Sequence, residues 1–386
     1  MIERLARITL PDTLRDRLGL TGGCLTLRRA WARSGEHLLL EFTDGDGRIV
    51  PGQWFGDPAA LERVARQTAR HSSGAGPGAP TAVLDSERVL LQLGGADRKL
   101  VGLRALLGRP GATLLGHRPE RRATVRLGDG AAAPFAKVVR PSQVHEVTAA
   151  LQHLGGLPDR PFAMPTVIEV DEPNGVVTCS RLEGSCLHEL LGHDRAFIDG
   201  ARAAGRALRG LHGCAPPPAV AGHDAASEIA MLQKHLERLR ALEPAVHAGF
   251  ADAARRVFEA LAEGSCGSVL LHRDFYDKQV FVEHTGRTGL LDFDTMASGE
   301  PALDVANMLV HLQLRAMQQR CSVGCAEHAA AAFLEGYRPE TTVQHRLAAW
   351  QDATRLRLAC LYTWRPRWRH LGPALVESVQ RDASFP

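Results

Sequence analysis

The sequence predicts an α+β fold built as two lobes, strand-rich then helical, with an extra α+β segment ahead of both. Three observations carry that prediction. Between residues 112 and 180, short β-type runs are broken by a single helical pattern. From Phe197 onward, apolar residues recur at helical spacing almost to the end of the chain. That helical stretch is interrupted between Ser268 and Leu291, where apolar runs flank two acidic motifs. The expected divisions are residues 1–110, 111–185 and 186–386.

In the first division, Leu38–Phe42 and Arg48–Val50 flank Asp44-Gly45-Asp46-Gly47, a hairpin signal because Gly and Asp tolerate the positive φ of tight turns. Asp57-Pro58 opens a helix that runs to Arg70. His71–Pro80 reads as a Ser/Gly/Pro-rich connector. Val83-Leu84 and Val89–Leu93 form a strand pair, and Arg98–Leu107 a short helix. In the second division the strands are Thr113–His117, Ala123–Leu127 and Phe135–Val139, followed by a helix over Ser142–Leu154 and a strand pair, Thr166–Val170 and Val176–Ser180. Leu182-Glu183-Gly184 is the connector. Helices follow over 197–212, about 225–245 and 250–263, with a break at Pro216–Pro218, and they resume from Pro301. No repeat of fixed period is present.

Length suits two or three domains with ample core. A net charge of +3 gives no electrostatic case for nucleic acid or an anionic membrane. No apolar run approaches the roughly 20 residues needed to cross a bilayer, and Met1–Arg4 lacks a signal-peptide core. Eight scattered cysteines show no paired framework and read as reduced thiols of a cytoplasmic protein. Cys321-x3-Cys325-x2-His328 lacks a second ligand pair and reads as buried helix cysteines. Among 46 basic residues, Lys99, Lys137, Lys234 and Lys278 are the only lysines. A lysine kept within an apolar strand, Lys137, therefore asks for a reason.

The acidic motifs supply one. His272-Arg273-Asp274 is followed five residues later by the amide of Gln279, and Asp292-Phe293-Asp294 comes after a hairpin-sized spacer. Phosphoryl transfer needs a carboxylate to orient or deprotonate the incoming hydroxyl. It also needs an amide and a separate carboxylate to hold Mg²⁺ against nucleotide phosphates. No GxxxxGK[ST] is present, so a P-loop fold is unsupported.

A strand-rich lobe, a glycine-containing connector and a helical lobe with these motifs make a protein-kinase-like bilobal plan. Residues 112 to about 375 resemble the aminoglycoside phosphotransferase and choline kinase superfamily of small-molecule kinases. Within it they look closest to the maltokinase-like branch, whose members also carry an extra N-terminal domain. The resemblance implies ATP and Mg²⁺ as cofactors and a small-molecule hydroxyl as acceptor, such as a sugar, amino sugar, aminoglycoside or amino alcohol.

It also implies roles for residues. Asp274 matches the catalytic aspartate, and His272 is expected to pack and hydrogen-bond within its loop. Asp292 matches the ligand of nucleotide-bound Mg²⁺. For Asp294 two readings stand, a further metal contact or a solvated turn acid. Gln279 departs from the family's asparagine but resembles the glutamine of maltokinase-like members, and it is expected to coordinate metal through a stem one methylene longer. Asp304 resembles the aspartate that braces the catalytic loop. Lys137 matches the lysine that bridges the nucleotide phosphates, with Glu146 its expected partner and Glu169 or Glu172 as competitors. The turn from Gly116 to Arg122 is expected over the phosphates, with Arg118, Arg121 or Arg122 touching them. Arg273 carries no assigned role. Ser180–Glu183 is the expected hinge at adenine, and Trp364–Arg369 reads as helix packing.

A protein kinase is disfavoured by the short interval between Asp292 and Asp304, which leaves no room for an activation loop. The rival from another class is a nucleotide-binding pseudokinase, with residues 1–110 as a partner-binding module. The sequence sets neither the acceptor nor the oligomeric state.

Overall fold

The computed structural model describes residues 1–72, 80–157, 160–217, 219–283 and 285–380. Most of the expected 71–80 connector and Pro218 of the proline break therefore lie outside the described residues. In the N-terminal part, α1 (Ile2–Leu5), β1 (Arg7–Thr9), α2 (Asp12–Leu18) and β2 (Cys24–Ala32) precede β3 (His37–Thr43) and β4 (Ile49–Phe55). Helix α3 (Pro58–Ser72) is capped by Asp57, whose carboxylate accepts from the amides of Ala59 and Ala60. Strands β5 (Thr81–Leu84) and β6 (Val89–Gln92) complete an antiparallel sheet of order β1-β2-β3-β4-β6-β5.

Strand β2 is absent from the sequence reading because its alternation is broken. The register against β3 shifts between Leu27 and Arg29, so the apolar positions Leu25, Leu27 and Ala30 lose their period of two. The helix expected over Arg98–Leu107 shortens to α4 (Leu103–Leu107). The Asp97 carboxylate takes the amides of Lys99 and Leu100, turning the chain where the helix would have begun.

The second sheet, of order β10-β11-β9-β8-β7, is antiparallel throughout. It holds β7 (Ala112–Arg118), β8 (Arg122–Leu127), β9 (Phe135–Val139), β10 (Val167–Asp171) and β11 (Val176–Cys179), with α5 (Val144–Gly155) packed between β9 and β10 in sequence. Buried Val125, Ala136, Val138 and Val176 form its core with Leu103 and Leu106 of α4. Gly184, at φ +90, ends the connector, and a Cβ there would strike the backbone at Val282.

The helical part opens with β12 (Ser185–Cys186), α6 (Asp194–His212), β13 (Gly222–His223), α7 (Ala225–Leu242) and α8 (Pro244–Ala262). Strands β14 (Val269–Leu271), β15 (Val280–Val282), β16 (Thr288–Leu290) and β17 (Ala297–Gly299) carry the acidic motifs. Helices α9 (Ala302–Met317), α10 (Val323–Tyr337), α11 (Thr341–Tyr362) and α12 (Leu371–Gln380) close the chain. Trp364, in the aromatic-basic tail, is buried and its carbonyl accepts from the Ala30 amide. Among the described residues no helix is long and apolar enough to cross a membrane.

The N-terminal sheet joins both other parts. Its apolar residues share one core with the helices, and the Glu243 carboxylate takes the Ile2 amide and the Arg369 guanidinium. On the other side, the buried His117 imidazole of β7 bonds Asp97 at 2.9 Å.

Helices α6 and α10 approach backbone to backbone. A methyl on Gly205 would meet the Phe333 carbonyl, and one on Gly336 the Arg202 carbonyl. Replacing Gly205 by alanine is therefore expected to destabilise the protein by about 1–3 kcal/mol through overpacking, despite alanine's better helix propensity. Urea unfolding checks this, and an unchanged midpoint would contradict the close approach.

Candidate active site

The loop between β14 and β15 holds His272, Asp274 and Gln279. Half of the residues from His272 to Gln279 are buried, so the loop must find partners for its backbone groups, and α9 provides them. The Asp304 carboxylate, fully buried at the start of that helix, accepts from the amides of His272 and Arg273, both at 2.7 Å. It also accepts from the imidazole of His212, at the end of α6, at 3.2 Å. Burial opposes ionisation of Asp304, but the histidine and loop amides outweigh it and hold the carboxyl below the usual range. One turn on, the Asn307 amide donates to the Phe275 carbonyl at 2.9 Å.

The far end of the loop is fixed by Asp277, a residue the motif reading passed over. Its buried carboxylate receives two bonds from Arg315 of α9, at 2.9 and 2.7 Å, and one from His188 at 2.6 Å. Arg315 and the histidine overcome burial and keep that carboxyl well below its ordinary value. The signal was present in sequence: Asp304, Asn307, His311 and Arg315 recur at helical spacing, and all four are buried.

Asp274 is thereby held in the cleft beside Gln279, whose amide donates to it at 3.4 Å. Burial pushes the Asp274 carboxyl up, against the attraction of His272, Arg357 and Arg122. His272 acts within the loop, as expected of it. Its Nε2 donates to the Leu291 carbonyl at 2.7 Å, tying the loop to the strand before Asp292. Its Nδ1 is buried without a partner. Arg273 sits at φ +66 and reaches the Thr295 carbonyl at 3.5 Å.

Asp292 leaves β16 at φ +60, a left-handed conformation that turns its carboxylate into the cleft. There Lys137 of β9 bonds both acids of the second motif, Asp292 at 2.9 Å and Asp294 at 2.6 Å. Burial opposes the ammonium's charge, yet the two carboxylates hold its pKa above the ordinary value. The Asp292 carboxyl is held far down in return by Lys137 and Arg122, against burial. The expected pair of Lys137 with Glu146 does not form in this structure. Glu146 lies exposed on α5, as do Glu169 and Glu172 near β10, while the two aspartates converge on the lysine from the other lobe.

Arg122 also reaches the acidic pair, 3.3 Å from Asp294 and 3.8 Å from Asp292. Arg118 stands opposite Arg122 in the β7–β8 register, and Thr124 of β8 stands opposite Lys137. The three cations therefore project from one face of the sheet. Arg118 lies over the Trp31 ring of β2, 5.3 Å from its centre. Glu120 in the turn is held by Arg98 and Lys99 at 2.7 and 2.8 Å. In the connector, the Ser180 amide donates to the Thr166 carbonyl, and Leu182 packs on Gly289.

The site fits a hard cation. Two carboxylates already converge on a cationic group, and the Gln279 amide oxygen has no hydrogen bond among the described residues. Among the described residues, no cluster of three or more His, Cys, Asp or Glu side chains forms a cage there. Few protein oxygens with phosphates completing the shell is how Mg²⁺ is commonly held.

A family model described as the phosphotransferase enzyme family matches residues 114–350. Among solved structures, a choline/ethanolamine kinase family protein from Mesorhizobium loti is 17% identical with a TM-score of 0.52, covering 74% of this chain and 94% of that one. A thermostable mutant of the aminoglycoside phosphotransferase APH(4)-Ia is 15% identical with a TM-score of 0.55, covering 71% and 95%. A ternary complex of the same protein with AMP-PNP and hygromycin B is 14% identical with a TM-score of 0.53, covering 72% and 95%. These likenesses establish the bilobal small-molecule-kinase fold. No curated protein matches the chain.

Asp304→Asn keeps the shape of the brace but loses its charge and one acceptor. We expect a loss of about 2 kcal/mol or more in chemical denaturation at neutral pH. Because the native carboxyl is depressed, this contribution is complete above the ordinary aspartate range and is lost as pH falls through the lower native value. Wild-type stability in the variant would show that the loop does not hang on this carboxylate.

Proposed function

Because the chain belongs to the phosphotransferase enzyme family, we propose that it transfers the terminal phosphoryl group of ATP, with Mg²⁺, to a hydroxyl of a small polar metabolite in the cytoplasm. The observation that carries this reading is the convergence of Asp274, Gln279, Asp292, Asp294 and Lys137, from both lobes, on one cleft. Each has the chemistry one part of phosphoryl transfer requires.

The acceptor hydroxyl would lie against Asp274, whose carboxylate takes its proton as the oxygen attacks the terminal phosphorus and ADP departs. Burial suits the aspartate to this work, since a raised pKa makes it a better proton acceptor than an exposed carboxylate. Lys137 would exchange its carboxylates for nucleotide phosphates, with Arg122 beside it. Mg²⁺, held by Asp292, Asp294 and Gln279, would supply charge neutralisation at the phosphates. The interval from Asp292 to Asp304 supports a small-molecule acceptor. A 3₁₀ turn (Phe293–Thr295) and β17 fill it, leaving no segment to form a peptide-binding platform.

Two experiments test this. Asp274→Asn should lower turnover about a thousandfold, the usual scale of general-base loss, while nucleotide affinity by calorimetry stays near wild type. The acid limb of the wild-type rate profile should lie above the ordinary aspartate range, because Asp274 must lose its proton to act. Near-native turnover in the variant would refute the assignment, and the absence of any turnover in wild type would favour the pseudokinase. Separately, Asp292→Ala should weaken Mg²⁺-dependent nucleotide binding more than Gln279→Ala, since an anionic oxygen holds a hard cation better than an amide. Equal weakening would overturn that ranking.

A further inference from the structure

The cleft holds a group of cations that the proposed chemistry does not use. Arg33 follows β2, Arg118 and Arg121 flank the β7–β8 turn, Arg140 follows β9 and Arg238 lies on α7. They come from three separate parts of the chain, and all five are half-buried. None has a carboxylate within ion-pairing distance among the described residues. The nearest acid in the turn, Glu120, is already taken by Arg98 and Lys99. The Nε atoms of Arg118 and Arg121 are buried with no hydrogen-bond partner among the described residues. Half-buried guanidinium groups without a counter-charge are costly to fold together, and arginine's fork suits planar or tetrahedral oxyanions.

The cluster is continuous with the reacting end of the cleft. Arg118 projects from the same sheet face as Lys137 and Arg122. On α7, Glu228, His235 and Arg238 share one helical face, at spacings of seven and three. Glu228 is neutralised by Arg357 at 3.4 Å and His223 at 2.7 Å, and Arg357 stands close enough to Asp274 to bias its ionisation. One face of α7 thus connects Arg357, which acts on Asp274, with Arg238 of the arginine cluster.

Resting on the phosphotransferase reading, we infer that the acceptor is an anion: a hydroxyl compound that carries a phosphate or carboxylate, which the Arg118–Arg121–Arg238 cluster holds while its hydroxyl meets Asp274. A polycation such as an aminoglycoside would be repelled from this wall. The local field agrees. Burial together with Arg122, Arg121, Arg33 and Arg238 draws the Arg118 guanidinium down to about 9. Burial with Arg238 and Arg357 draws His235 to about 4, leaving it neutral at working pH.

The test is a phosphorylation screen with Mg–ATP over matched acceptors: glucose, glucosamine, gluconate and glucose 6-phosphate, then glycerol, glycerate and glycerol 3-phosphate, with streptomycin as the polycation. The anionic member of each set should be preferred at least about tenfold in kcat/KM, the scale of one charge-assisted bond. Preference for the phosphate or the carboxylate member identifies which group the cluster holds. Arg238→Ala should raise the acceptor KM about tenfold to a hundredfold without changing the KM for ATP, and Arg238→Lys should recover part of the loss.

If a neutral or cationic acceptor is the better substrate, the inference falls and the phosphotransferase reading stands. If nothing in the panel is phosphorylated, calorimetry with inorganic phosphate and with malonate, in the presence of saturating Mg–AMP-PNP, decides. Binding that weakens at least about tenfold in Arg238→Ala supports the anion site, and no such binding overturns it. Failure of wild type to bind Mg–AMP-PNP would instead overturn the phosphotransferase reading.

Discussion

The polar face of α9 is the constraint on which the site depends. The loop from His272 to Gln279 is irregular, buries His272, Phe275, Asp277 and Gln279, and is rich in backbone groups that no strand satisfies. Asp304 accepts from its first amides, Asn307 donates to its middle carbonyl, and Arg315 pairs with the carboxylate near its end. Three side chains on one rigid helix therefore fix three points of the loop. Asp274 needs no bond of its own to be positioned, because both of its flanks are anchored.

The second organising interaction crosses between lobes. Lys137 comes from the strand-rich sheet and its two carboxylates from the helical part, so the ion pairs link the two bodies across the cleft. Lys137 and Arg122 hold the Asp292 carboxyl well below its ordinary value, against the cost of its burial. The same arrangement would let the lysine exchange partners as phosphates arrive, at little cost in net charge.

Much of this was legible in the sequence, for a physical reason. Residues that must act on one small group of atoms come from short segments, and their spacing survives in the chain. Spacing singles out His272, Asp274, Gln279, Asp292 and Asp294, and rarity within a strand singles out Lys137; the structure brings these six side chains together. What escaped were pairings set by tertiary approach. Glu146 was the plausible partner by spacing, yet the aspartates of the other lobe reach Lys137. Asp277 and Arg315 are 38 positions apart and look ordinary alone. A bulge hid β2 by removing its alternation, and with β2 went Trp31, the ring on which Arg118 rests.

The junction of the N-terminal sheet with the helices has a consequence for how the molecule is made. Glu243 takes the backbone of Ile2, 241 positions earlier in the chain, and the carbonyl of Trp364 takes the amide of Ala30. The N-terminal sheet thus keeps one apolar surface without its partner until α8 and the turn after α11 have been synthesised. Loop-closure entropy is paid last, on contacts of the greatest sequence separation. During that interval the nascent chain presents a sticky intermediate of the kind chaperones shield. The half-made protein is therefore more exposed to aggregation than its balanced composition would suggest.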